Sequence, residues 1–158
     1  MNTRRIDHVA LTVPDVEEAS AFFEKAFGAR VIFDGQHPSD PPVQGKEAEV
    51  VFGMPRGSSL VWRRVLAFPG DTHIELFQFV TPHQQRAAHT YDYGLVHFAV
   101  LVQDLGKAAL DFQKAGGKLY CTEDWKRVAA SGMAPKQGWM YGETPWGTVI
   151  EMVTFEEI

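Results

Sequence analysis

The chain is short of several things, and each shortage removes a class of protein. It has one cysteine, Cys121, so no intrachain disulfide can form, which fits a reducing compartment. It has no basic block, and its formal net charge of −5 argues against nucleic acid and anionic membranes as main partners. No stretch approaches the ~18–20 apolar residues of a membrane span, and MNTRRIDHV leads into a strand-like run without an apolar signal core. The expectation is a cytoplasmic protein with no nucleic-acid or membrane partner. What is present is 158 residues, 45% hydrophobic and 22% charged, enough for one globular domain with a real core.

The main positive feature is a pattern stated twice. An offset of 89 positions pairs His8 with His97, Ala10 with Ala99, Val13 with Val102 and Asp15 with Asp104, and continues through Phe23 with Phe112 to Gly28 with Gly117. Internal repetition comes before other readings because it fixes the architecture. Each half ends at a carboxylate, Glu75 in HIELF and Glu151 in VIEM. These lie 76 apart, so the first half carries thirteen additional residues between its His and its Glu. The surplus falls in GQHPSDPPVQGKE, whose Pro, Gly and polar content reads as a loop.

Each half reads as strand, helix, then further strands. Asp15 and Glu18 form a capping box ahead of an apolar stripe running from Val16 to Phe27, and Gly28 supplies the stop. Asp104 caps the equivalent stripe of Leu105, Ala108, Ala109, Phe112 and Ala115, ended by Gly116 and Gly117. Strands are expected at 6–13, 31–33, 50–52, 60–68, 72–80, 118–121, 139–142 and 148–155. The expected fold class is α+β: two tandem βαβββ modules, about 4–80 and 95–156 joined by a linker at 81–94. Together they would form one curved, cup-like mixed sheet with helices on its outer face, as one domain over 1–158.

Strand alternation puts Val9, Leu11 and Val13 towards the helix and His8 on the other face; His97 is placed likewise opposite Val96, Phe98 and Val100. Glu75 and Glu151 take the same concave side. Two carboxylates on a partly apolar face are costly to bury unpaired, and a divalent cation removes that cost. His8, Glu75, His97 and Glu151 are the metal-ligand candidates, and the donor set suits Zn, Ni, Co, Mn or Fe.

In these residues the chain resembles the vicinal oxygen chelate superfamily, which includes glyoxalase I, methylmalonyl-CoA epimerase, extradiol dioxygenases and bleomycin-resistance proteins. The resemblance runs through IDHVALTVPDVEEASAFFEKAFGA, GDTHIELFQF, GLVHFAVLVQDLGKAALDFQKAGGK and GETPWGTVIEM. It implies a small-molecule substrate, a homodimer and a shared metal centre. A ring-cleaving dioxygenase would use two His and one carboxylate and leave position 75 without a ligand. Glu75 therefore favours the isomerase and lyase branch, in which the metal stabilises an enediolate or enolate while Glu151, or secondarily Glu75, moves the proton. The alternatives are an extradiol-type dioxygenase and a metal-free sequestering protein of the bleomycin-resistance type.

Substrate-specific motifs for glutathione or coenzyme A are lacking. Arg63 with Arg64, and Lys126 with Arg127, are candidate contacts for an anionic group, although as isolated charges they are better explained as solvated. Phe77, Phe79, Trp139, Tyr141 and Trp146 are candidate pocket walls or core. The 34–59 insertion and the 81–94 linker are the candidate covering loops.

Overall fold

The computed structural model describes residues 5–121, 127 and 137–155. The first half contains β1 (His8–Thr12), α1 (Val16–Phe27), β2 (Arg30–Asp34), β3 (Val43–Gln44), α2 (Lys46–Phe52), β4 (Ser59–Ala67) and β5 (His73–Val80). The second contains β6 (His97–Leu101), α3 (Leu105–Lys114), β7 (Lys118–Leu119), β8 (Gly138–Glu143) and β9 (Val149–Thr154). Contacts group the chain into two compact units, Met1–Glu24 with Gly28–Gln85, and Lys25–Phe27 with Arg86–Ile158.

The helix caps form as the sequence predicts. The Asp15 carboxylate accepts from the Glu18 amide at 2.9 Å, and the Asp104 carboxylate accepts from the Lys107 amide at 2.8 Å, satisfying amides that a helix start leaves unpaired. Val16, Ala19 and Phe23 of α1 are buried, as are Leu105, Ala109 and Phe112 of α3. Each such side chain contributes roughly 1.5–3 kcal/mol relative to exposure, less for the alanines. The two paired glycines have different jobs. Gly28 takes φ 69 to end α1, whereas a Cβ on Gly117 would lie 2.1 Å from the Phe112 ring.

The strands form two hydrogen-bonded sheets, one per half, rather than the single continuous sheet expected. One has the order β1-β5-β4-β2 with β3 also on β4; the other has the order β6-β9-β8-β7. In each, the first strand of the repeat pairs in parallel with the last and so closes its own ladder. A second correction concerns 50–52, expected as a strand: these residues end α2. Gly45 opens that helix, Ala48 is buried, and Gly53 at φ 63 returns its amide to the carbonyls of Glu49 and Val50. The terminal glycines and the buried Ala48 outweigh the strand preference of Val50 and Val51. β3 and α2 both lie between β2 and β4 of the first half, and no described helix is long and apolar enough to cross a membrane.

Candidate metal centre

In the first unit the parallel register sets His8 opposite His73 and Ala10 opposite Glu75. His8 Nε2 lies 3.3 Å from Glu75 Oε2, on the diagonal of that ladder. Its other ring nitrogen, Nδ1, is 3.0 Å from Asp7 Oδ2. A carboxylate at Nδ1 orients the ring and leaves Nε2 available to a ligand, the arrangement found behind metal-bound histidines. The hydrogen bond with His8 also holds the Asp7 carboxyl below its usual range. Glu75 is 6% exposed, and its second oxygen, Oε1, accepts from Arg63 Nε at 2.5 Å.

The second unit repeats the geometry. His97 stands opposite Val149, and Ala99 opposite Glu151, with His97 Nε2 3.4 Å from Glu151 Oε2. Tyr141, directly across from Glu151 on β8, packs edge-on against the His97 ring at 5.1 Å. Among the described residues, no Lys or Arg lies within ion-pair distance of Glu151.

The donor chemistry fits a divalent ion. Two ligands bound at about 2.0–2.2 Å with bond angles of about 90–110° stand roughly 2.8–3.6 Å apart, and both His–Glu separations fall in that interval. Among the described residues, no three or more His, Cys, Asp or Glu are grouped so as to hold a metal ion by themselves; each unit brings two of the four predicted ligands together.

The other sequence candidates are placed as follows. Arg64 does not face this site: it is 8% exposed, with Nη1 2.7 Å from Glu17 Oε2 and 3.1 Å from Ser20 Oγ, and Nη2 2.7 Å from Asp34 Oδ2. It ties β4 to α1 and β2 and is a structural cation. Burial pulls its pKa down, but the bonds to Asp34 and Glu17 outweigh that and raise it. Arg63 is committed to Glu75. Lys126 lies outside the described residues, and Arg127 is exposed. Phe77 and Phe79 stack at 5.3 Å on the Glu75 side of β5, and Phe52 of α2 packs edge-on to both at 6.2 and 5.9 Å. α2 thus supplies an aromatic wall beside the first pair. Trp146 Nε1 donates to Thr148 Oγ1 in the β8–β9 turn. The sequence reading missed Asp7, whose only clue was adjacency to His8, and Arg63 as the partner of Glu75.

The chain is 26% identical over 149 residues to 2-epi-5-epi-valiolone epimerase of Actinomyces sp., covering 94% of this chain and 78% of that protein. Among solved structures, a glyoxalase family protein from Bacillus cereus superposes with TM-score 0.70 at 20% identity, covering 98% of this chain and 95% of that one. The fosfomycin resistance protein FosX of Listeria monocytogenes, solved with Mn(II) and sulfate, gives TM-score 0.58 at 15% identity over 97% and 93%. The profile of the Glyoxalase/Bleomycin resistance protein/Dioxygenase superfamily matches residues 5–152, and the chain belongs to that superfamily.

Proposed function

We propose that the protein is a divalent-metal-dependent isomerase or lyase that moves a proton at a carbon beside two vicinal oxygens of a small substrate. His8 with Glu75 and His97 with Glu151 act as the metal-ligand pairs. The epimerase relative supports an isomerase class, and the Mn(II) in FosX supports a divalent ion in this fold. When bound, the ion supplies Lewis-acid stabilisation of the negative charge that develops on the substrate oxygens.

The observation that carries the division of labour is Arg63. Its Nε holds Glu75 Oε1, which fixes that carboxylate in one orientation and offsets its buried charge. Glu75 is the fixed ligand. Among the described residues Glu151 has no such cation; it is more open than Glu75 and is free to reorient towards a substrate carbon. It takes the proton as base and returns it as acid. His8 is kept in place from behind by Asp7, and Tyr141 limits rotation of His97.

The test combines elemental analysis of protein purified without chelator with a panel of hemithioacetals, 2-substituted acyl thioesters and catechols. A divalent ion is expected, together with substrate-proton exchange into deuterated solvent. Glu151→Gln should lower turnover by about 10²–10⁴-fold with its circular dichroism unchanged, whereas Glu75→Gln should chiefly reduce metal content. Oxygen uptake with a catechol and Fe(II), without proton exchange, would instead select ring cleavage.

A further inference from the structure

The second unit contains a cavity that neither the metal-ligand pairs nor the helix packing accounts for. It is open-sided, about 200 Å³, and is lined by Arg86, His89, Tyr91, Tyr120, Glu143 and Val149 among others. Its floor belongs to the face that carries Glu151. Val149 lies two residues before Glu151 on β9, one side-chain repeat of about 6.5–7 Å along that face, and Glu143 stands directly across from Val149 on β8. The cavity therefore adjoins the His97–Glu151 pair.

Its polar groups are arranged around one carboxylate. Glu143 Oε1 is 3.2 Å from Arg86 Nη2, and Oε2 accepts from the Tyr120 hydroxyl. The linker lies beside the β8–β9 turn here: a Cβ on Gly147, where φ is +96, would be in ordinary van der Waals contact with Arg86 Nη2 at 3.7 Å. On another wall the His89 and Tyr91 rings stack at 5.1 Å and 3°, with His89 tied to Asp92. Arg86 and Glu143 cancel each other's charge, so the cavity offers neither an anion nor a cation a net partner. What it offers is several donors and acceptors beside a flat aromatic wall. Hydroxyl groups both donate and accept, and the C–H face of a saturated ring packs on aromatic planes.

We propose that this cavity is a subsite for a neutral, hydroxyl-rich single-ring ligand, positioned to present that ligand to the His97–Glu151 pair. The last step rests on the proton-moving role given to Glu151 above; binding itself does not. Glu143 is a specificity residue that accepts from ring hydroxyls, and Arg86 and Tyr120 hold its carboxylate in place.

Proton–nitrogen correlation spectra of the full, chelator-treated chain test this, with myo-inositol, glucose and inorganic phosphate as probes. Both polyols or one of them should shift the Thr90, Tyr91 and Gly147 amides, the two arms separating a carbocyclic polyol from a sugar, while phosphate leaves them in place. Tyr120→Phe should weaken polyol binding about three- to tenfold, the worth of one hydrogen bond. Glu143→Gln, which leaves Arg86 unbalanced, should lose polyol affinity and gain phosphate affinity. Polyol shifts that are absent, that fall elsewhere, or that ignore both substitutions overturn the proposal. So does phosphate binding more strongly than polyol to the unmodified protein, a comparison that holds even if the variants fail to fold. Chelator treatment keeps this result separate from failure of the metal reading.

Discussion

The two halves place a His and a Glu at matching points of matching ladders and then differ at the neighbouring strand. Glu75 sits opposite Ala10 and Glu151 opposite Ala99, with His–Glu separations of 3.3 and 3.4 Å. The adjacent strand carries Arg63 and Arg64 across from Phe77 and Leu76 in the first half. At the equivalent places in the second it carries Trp139 and Met140, across from Val153 and Met152. One strand position faces the carboxylate side and the next faces the helix side. Two consecutive substitutions therefore alter both the charge beside the Glu and the polarity of the core beneath it. A duplicated backbone fixes where donors meet, and a single neighbouring residue decides which carboxylate is compensated.

The largest expected stability effect comes from giving the first half the second half's core residue. Arg64→Met removes a cation that serves Glu17, Ser20 and Asp34. The acids are part-exposed, at 68% and 35% of their side chains, and can rehydrate, so the loss is about 2 kcal/mol rather than the roughly 3–5 kcal/mol of a fully buried pair. Arg64→Lys should rescue little, because one ammonium cannot fork between two carboxylates. The effect also has a pH signature. Burial raises the Asp34 pKa, but hydrogen bonds from Arg64 and Trp62 outweigh it and hold the carboxyl below its ordinary 3.8. A depressed folded value gives stability above the unfolded pKa that is lost as pH falls through the folded one. Urea unfolding should therefore show the gap between the two proteins narrowing below pH 3.8; a gap that persists undiminished would mean that Asp34 is not what Arg64 stabilises.

Parity explains what could be read in advance. The helix caps at Asp15 and Asp104 and the face that His8 shares with Glu75, and His97 with Glu151, follow from local rules, and the burial of β1 alternates as expected, with Val9 and Leu11 more covered than His8 and Ala10. The partner of Glu75 was not legible, because β4 and β5 change register between Leu60 and Trp62. A one-residue slip would send Arg64, not Arg63, to the carboxylate side. The α2 segment failed for a different reason. Its VVF run has strand propensity, and only Gly53 in the left-handed region closes it as a helix.

A smaller effect distinguishes the two carboxylates directly. Arg63→Met should cost metal-free protein about 1–2 kcal/mol, since Glu75 is left buried without its cation, and a divalent ion, which supplies the missing charge, should restore more stability to the variant than it adds to the parent. Trp139→Met, at the equivalent place beside Glu151, should show no such ion-dependent rescue. Unfolding curves with and without Mn(II) or Zn(II) compare the two, and equal responses would remove the asymmetry on which the roles of Glu75 and Glu151 depend.

The smallest effect concerns a feature of the second half alone. The hydrogen bond from the Tyr120 hydroxyl to Glu143, together with burial, pushes the phenol up to about 12. A folded pKa above the unfolded value of 10.0 means that the contact stabilises fully below pH 10.0 and is lost as pH rises towards 12. The chain has four tyrosines, so ultraviolet titration of the folded protein should show one phenol ionising later than the others, and Tyr120→Phe should delete that late step alone. The first half has Ala67 where the second has Glu143, across from His73 as Glu143 is from Val149, so it has no carboxylate there to hold a phenol. If the late step survives in Tyr120→Phe, the Glu143 carboxylate is not held by Tyr120, and the cavity beside Glu151 loses one of the two groups that orient its acceptor.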